Sequence, residues 1–186
     1  MSARTVRIGG AAGYWGDTAN GPEQLVLHGD VQYLVFDYLA EVTMAILAKA
    51  RSKSPDAGYA TDFITQVIKP LAGEIARRKI RVIANAGGVN LAACAKAIRA
   101  ALDEAGVSLK VGTVEGDELL ERSEELRARG VREMYDGKPL PAKLASSNAY
   151  LGAFPIAAAL DAGADIVVTG SRIPRALVEG PAPVTV

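Results

Sequence analysis

The chain has 186 residues with 21 basic and 21 acidic side chains, a balance that sets up no long-range field for nucleic acid or an anionic membrane. At 49% apolar and 23% charged side chains it has an ordinary globular composition, and this length buries enough surface to need no disulfide or metal staple. A single cysteine forms no internal bridge, no apolar run approaches the roughly 18 residues of a membrane helix, and no apolar leader opens the chain, so a cytoplasmic, reducing location is expected.

Taken in order, Val6-Arg7-Ile8 is the first expected strand, followed by the glycine-rich turn Gly9-Gly10-Ala11-Ala12-Gly13-Tyr14-Trp15-Gly16-Asp17. His28, the only histidine, precedes Gly29 and Asp30 where a helix ends, so a C-terminal capping role is expected of it and a His/Cys zinc site is not. Tyr33-Leu34-Val35-Phe36 is the second strand, and residues 41–51 form a helix that stops before Ser52-Lys53-Ser54-Pro55. Residues 61–79 show the helical period through Ile64, Val67, Ile68, Leu71 and Ile75, with Pro70 either kinking one helix or starting a second after Lys69. The basic run Arg77-Arg78-Lys79 then offsets the macrodipole of that helix.

The third strand is Ile80-Arg81-Val82-Ile83-Ala84. Over residues 89–105, Leu91, Cys94, Ile98 and Leu102 share one helix face and Lys96, Arg99 and Asp103 the other, which makes Cys94 a buried structural thiol. Residues 109–114 supply the fourth strand, and residues 117–129 a helix capped by Asp117 and closed by Gly130. The period lapses over residues 131–147, where Asp136-Gly137 suits a two-residue hairpin turn. Residues 150–162 return as a small apolar helix that Asn148 would cap. Asp165-Ile166-Val167-Val168-Thr169 is the fifth strand, its continuous apolar run marking burial on both faces.

Strands alternating with helices predict an open, mainly parallel α/β sheet with flanking helices and Rossmann-like layering, without revealing the strand order. One domain is expected over residues 1–170, followed by a Pro-rich tail over residues 171–186.

Ligands of such sheets bind at the carboxyl ends of the strands. The turn after the first strand, with Gly9, Gly10, Gly13 and Gly16, suits either close approach of an anion or phosphate, or a tight turn that lays Tyr14 and Trp15 over a core edge. Its spacing matches neither the dinucleotide fingerprint nor the phosphate loop. After the third strand, Asn85-Ala86-Gly87-Gly88-Val89-Asn90 is open to a helix-capping or a ligand-contacting role. After the fourth, Glu115-Gly116-Asp117 places two carboxylates near a helix start, suited to offsetting the macrodipole, to a magnesium or ribose hydroxyl, or to acid–base work. Asp17, Glu115 and Asp117 are therefore the catalytic candidates. The ligand-binding candidates are Gly9, Gly10, Gly13, Gly16, Asn85, Gly87, Gly88, Asn90, Gly116, Asn148, Tyr150 and Gly170. No cofactor is named by any of these motifs.

Six stretches in order carry a resemblance to a known family. They are RIGGAAGYWGD from Arg7 to Asp17, DVQYLVFDYLAE from Asp30 to Glu41, NAGGVN from Asn85 to Asn90, VEGDELL from Val114 to Leu120, NAYLGAFPI from Asn148 to Ile156 and GADIVVTG from Gly163 to Gly170. The chain resembles the acyclic terpene utilisation proteins of the AtuA type. That resemblance implies a part in bacterial catabolism of acyclic terpenoids such as citronellol and geraniol, or of related branched acyl-CoA compounds, and carries over no catalytic residue. It also implies a longer protein that continues after the fifth strand with Thr-Gly-Arg, two residues and an aspartate. Here Thr169-Gly170-Ser171-Arg172-Ile173 departs from that pattern, so an N-terminal fragment is expected. The expected partner is a small molecule, phosphate-bearing or an acyl-CoA, handled by an enzyme or by a non-catalytic binding or assembly subunit. Self-association through an exposed sheet edge or helix face is a further expectation, with neither nucleic acid nor membrane as partner.

Overall fold

The computed structural model describes residues 5–171 and 174–181, with the side chains at 174 and 175 excluded. The expected tail therefore lies partly outside the described residues, at 172–173 and 182–186.

Five parallel strands form one sheet: β1 (Ile8–Ala12), β2 (Tyr33–Phe36), β3 (Arg81–Ala84), β4 (Val111–Val114) and β5 (Ile166–Thr169), in the spatial order β1-β2-β3-β5-β4. Steps from β1 through β4 run one way across the sheet and the step to β5 runs back. Right-handed crossovers then require the connecting helices to lie on opposite faces, and the two apolar clusters show that they do. Leu34, Phe36, Val82, Ala84, Ile166 and Val168 point to one face, covered by α1 (Asn20–His28), α3 (Lys69–Arg78) and α4 (Leu91–Glu104). The alternate residues Val35, Ile83 and Val167 point to the other, covered by Ile156 and Leu160 of α6 (Phe154–Asp161) and Leu177 of α7 (Pro174–Glu179). This period of two, with both faces buried, is why β5 reads as an unbroken apolar run.

The expected strands at the sheet centre stand nearly as read, while β1 is displaced. Gly9 and Gly10 are ladder residues paired with Leu34 and Val35, not a turn beyond the strand. Packing overrides their poor strand propensity: a Cβ on Gly9 would lie 3.0 Å from Leu25 of α1, a contact tight enough that the Leu25 side chain would have to shift.

Between β2 and β3 the chain forms α2 (Glu41–Lys53), then a π-helical stretch at Phe63–Ile68 that runs directly into α3. The wide turn buries Phe63, Ile64, Val67 and Ile68 together, and Pro70, which has no N–H to give the preceding turn, falls at the junction with α3. Phe63 packs edge-on to Phe36 and Tyr38, with ring centroids 5.3 and 6.2 Å away, under the carboxyl end of β2. Arg77 and Arg78 both pair with Glu74, and Arg78 also donates to the Leu27 carbonyl. His28 is the last residue of α1, followed by Gly29 as cap.

Three local expectations fail. Asp117 caps no helix: a 3-10 turn at Leu120–Arg122 leads into the short α5 (Ser123–Ala128), because its carboxylate is held by groups distant in sequence. Asn148 does not cap α6, which starts at Phe154, and instead forms an isolated antiparallel bridge with Glu118. Asp136-Gly137 does turn the chain, with Gly137 at φ 67°, but only an isolated Arg132–Pro139 bridge forms rather than a hairpin of strands.

Candidate functional site

Adjacent β3 and β5 send their chains to opposite faces of the sheet, β3 toward α4 and β5 toward α7. This divergence opens a crevice at the carboxyl ends of the strands, the place where open α/β sheets bind ligands.

The β3 side is built by Asn85, fully buried at 0% exposure. Its Oδ1 accepts from the Tyr38 amide at 2.6 Å, and its Nδ2 donates to Asp37 Oδ1 at 2.6 Å, welding the ends of β2 and β3 together. Burial raises the Asp37 pKa above the ordinary carboxylate value, with the Asn85 amide pulling the other way. Gly87 donates its amide to the Thr169 carbonyl at 2.9 Å, tying β3 to β5, and a Cβ there would lie 2.6 Å from that oxygen. Gly88 has φ +55° with Leu47 and Gly58 closed over it, so both glycines are demanded by close approach. Asn90 caps α4, accepting from the Ala93 amide at 3.3 Å, and its Nδ2 donates to the carbonyls of Pro55 and Ala57, each at 2.7 Å. Leu91 and Ala92, in the first turn of α4 where backbone amides find no acceptor within the helix, line the crevice.

The β4 side turns at Gly116, φ +104°, which swings Asp117 inward to 5% exposure. Asp117 Oδ2 accepts from the Ser171 amide at 2.7 Å and from Asn148 Nδ2 at 3.1 Å, while its carbonyl accepts from the Ala149 amide at 2.7 Å. One buried carboxylate thus joins the loops after β4 and β5 to residues 148–149. Glu115 remains exposed, with Thr113 Oγ1 donating to it at 3.4 Å.

These loops enclose a cavity of about 320 Å³. Of the expected site residues it gathers Gly88, Asn90, Glu115, Gly116, Asp117 and Asn148. Asn85, Gly87 and Gly170 are not in its lining. Tyr150 is also outside the lining, exposed and donating its hydroxyl to Glu41 at 3.0 Å, a bond that raises the Tyr150 pKa. The β1 residues and the loop after them are not in its lining: Asp17 accepts from the amides of Gly13 at 2.9 Å and Thr18 at 2.7 Å, which together hold its pKa below the usual value. Trp15 in the same loop leans on Leu47, Ala48 and Val89.

Sequence reasoning overlooked Arg51 and Glu118, which also line the cavity and pair with each other at 3.1 Å. Arg51 reads as a cation in the last turn of a helix, and nothing local signals a partner on another loop. Cys94 is buried as expected, its thiol pushed up to about 12 by desolvation. Among the described residues no group of three or more His, Cys, Asp or Glu side chains is placed to hold a metal ion, and no helix is long and apolar enough to cross a membrane.

The profile of the family described as "Acyclic terpene utilisation family protein AtuA" matches residues 6–184, nearly the whole chain. Among curated proteins and among solved structures, nothing matches.

Proposed function

The chain belongs to the AtuA family of acyclic terpene utilisation, and from that premise we propose that it takes a branched acyclic acyl compound of terpenoid breakdown, free or as its CoA thioester, into the cavity between the β3 and β4 loops. The observation that carries this reading is the position of the cavity. It lies between the loops that follow β3 and β4 at the carboxyl ends of the strands, with the first residues of α4 and an arginine in its lining.

Of the three candidate carboxylates, Glu115 is the one exposed on the cavity, and it is the group we assign to proton transfer. Asp117 acts as a positioning residue through its bonds to Ser171 and Asn148. Asp17 serves the loop after β1. A second reading, a binding subunit without catalysis, is favoured by one observation: Asn85, Asn90, Asp117 and Asn148 all direct their polar atoms at the chain itself.

A thermal melt with a branched acyl-CoA tests the site. Ligand at about a hundred times its dissociation constant adds roughly 2.7 kcal/mol, and a transition indifferent to saturating ligand would overturn the proposal. Following the bound compound by NMR separates the two readings. Chemical change that Glu115→Gln abolishes while the melt shift persists supports catalysis, and a shift without change supports the binding subunit.

A further inference from the structure

Arg51 and Glu118 stand where two cavities meet. Besides the first cavity, one of about 270 Å³ lies on the far side of the pair, and Arg51, Val89 and Glu118 line both. The Arg51 Nη1 donates to the Val89 carbonyl and to Glu118 Oε1 at 3.1 Å and Oε2 at 3.3 Å. The ion pair is therefore the partition between the two spaces. Their linings differ in part: the first holds the start of α4, Asn148 and Glu115, while the second has Ala48, Val89, Leu120 and Ala145 as its apolar side, with Ser52, Glu121 and Ser146 beside them.

The partition is built to yield. Both side chains are 42% exposed, and pairs so exposed to water hold each other weakly. A carboxylate that displaces Glu118 leaves the charge around Arg51 unchanged and releases Glu118 to solvent. Each cavity alone sits at or below the lower end of the roughly 300–1,000 Å³ typical of ligand sites, and joined they fall inside it.

We propose that Arg51 receives the carboxylate head of an acyclic ligand, and that the hydrocarbon chain passes the displaced Glu118 into the second cavity against Ala48, Leu120 and Ala145. This rests on the binding reading above and adds to it the head-group residue, the direction of the chain and the element that moves. Glu118 is then a competitor for the ligand's own partner, and a ligand with the same chain but no charge gains nothing from its removal.

Isothermal titration of the full chain tests this with citronellate, with isovalerate as the same head on a short chain, and with citronellol as the same chain without charge. Glu118→Gln should tighten both carboxylates about two- to fivefold and leave citronellol unchanged. Ala145→Phe should weaken citronellate at least about tenfold, the loss expected when a few methylene groups stay in water, and leave isovalerate within about twofold. Arg51→Gln should abolish the preference for citronellate over citronellol, and Arg51→Lys should restore part of it. Citronellate affinity that is unmoved by both Glu118→Gln and Ala145→Phe would overturn the partition. If none of the three binds while a branched acyl-CoA still raises the melting temperature, the carboxylate assignment to Arg51 is overturned and the site stands. If the acyl-CoA fails as well, the site reading falls with it.

Discussion

A single methyl group at residue 170 should be among the more damaging small changes to this fold. Gly170 follows β5, its backbone lies outside the left-handed region, and a Cβ there would sit 2.7 Å from Asp117 Oδ1 and 2.8 Å from its Cγ. The side chain it strikes is short and fixed, bonded to the Ser171 amide and to Asn148. Moving it weakens two bonds to a buried carboxylate, worth about 1.5–3 kcal/mol each, and overpacking adds about 1–3 kcal/mol. Against this, Gly→Ala restricts the unfolded chain and returns about 0.4–1 kcal/mol. Because the two losses overlap, Gly170→Ala should cost about 3–5 kcal/mol. Asp117→Ala removes the acceptor itself and should cost about 3 kcal/mol, at about 1–3 kcal/mol for each donor deprived of it. In that background the methyl meets no carboxylate, so Gly170→Ala should cost less than about 1 kcal/mol, and the two changes should couple by at least about 2 kcal/mol. Urea unfolding of the four proteins, with the slope checked for constancy, measures this coupling. Equal cost of Gly170→Ala in both backgrounds would refute the reasoning.

Three further outcomes are expected. The folded-state pKa of Asp37 is raised by burial, so its ionised form weakens the fold at neutral pH and that loss fades as pH falls through the folded value toward about 4. Asp37→Asn, whose amide oxygen can still accept from Asn85, should therefore raise the urea midpoint at pH 7, the difference closing near pH 4; a lower midpoint at pH 7 would contradict this. Glu74 runs the other way: hydrogen bonds from Arg77 and then Arg78 lower its pKa to about 2, so it contributes stability above the unfolded carboxylate value that is lost as pH falls toward 2. Acid titrations at low salt should show Glu74→Gln less stable than the parent at pH 6 and equal to it near pH 2, with a smaller gap at high salt. Cys94, buried with its thiol pushed up to about 12, should resist Ellman's reagent at pH 8 in the native protein and react at the rate of unfolding in urea.

The parts of the fold that were legible in sequence are those where local pattern and tertiary environment agree. β2, β3 and β5 are short apolar runs between polar turns, and each is found within a residue or so of its expected bounds. The Leu91, Cys94, Ile98 and Leu102 stripe likewise lies on the core-facing side of α4. β1 was misplaced because glycine and alanine signal no strand; its ladder is imposed by β2 beside it and Leu25 above it. Asp117 looked like a cap because acids precede helices, yet its donors come from Asn148 and Ser171, on loops that no local rule links to it. The strand order escaped for the same reason, since nothing within β5 says that it pairs with both β3 and β4. At the site, the glycine and asparagine turns after β3 and β4 were recognisable by residue type. Arg51 was not, because its significance depends on Val89 and Glu118 being carried to it by other elements.

The insertion of β5 also governs how the sheet can be assembled during synthesis. β5 follows the other four strands in the chain, yet it pairs Ile83 with Val167 on one side and Thr113 with Val168 on the other. While the ribosome is still making the preceding segment, β1, β2 and β3 can associate, but β3 keeps a bare edge and β4 has no neighbour to join. Closing the sheet must await this last strand, and pairings so distant in sequence form slowly. Until then the nascent chain presents an open strand of the kind that chaperones shield and that misassociates when they do not.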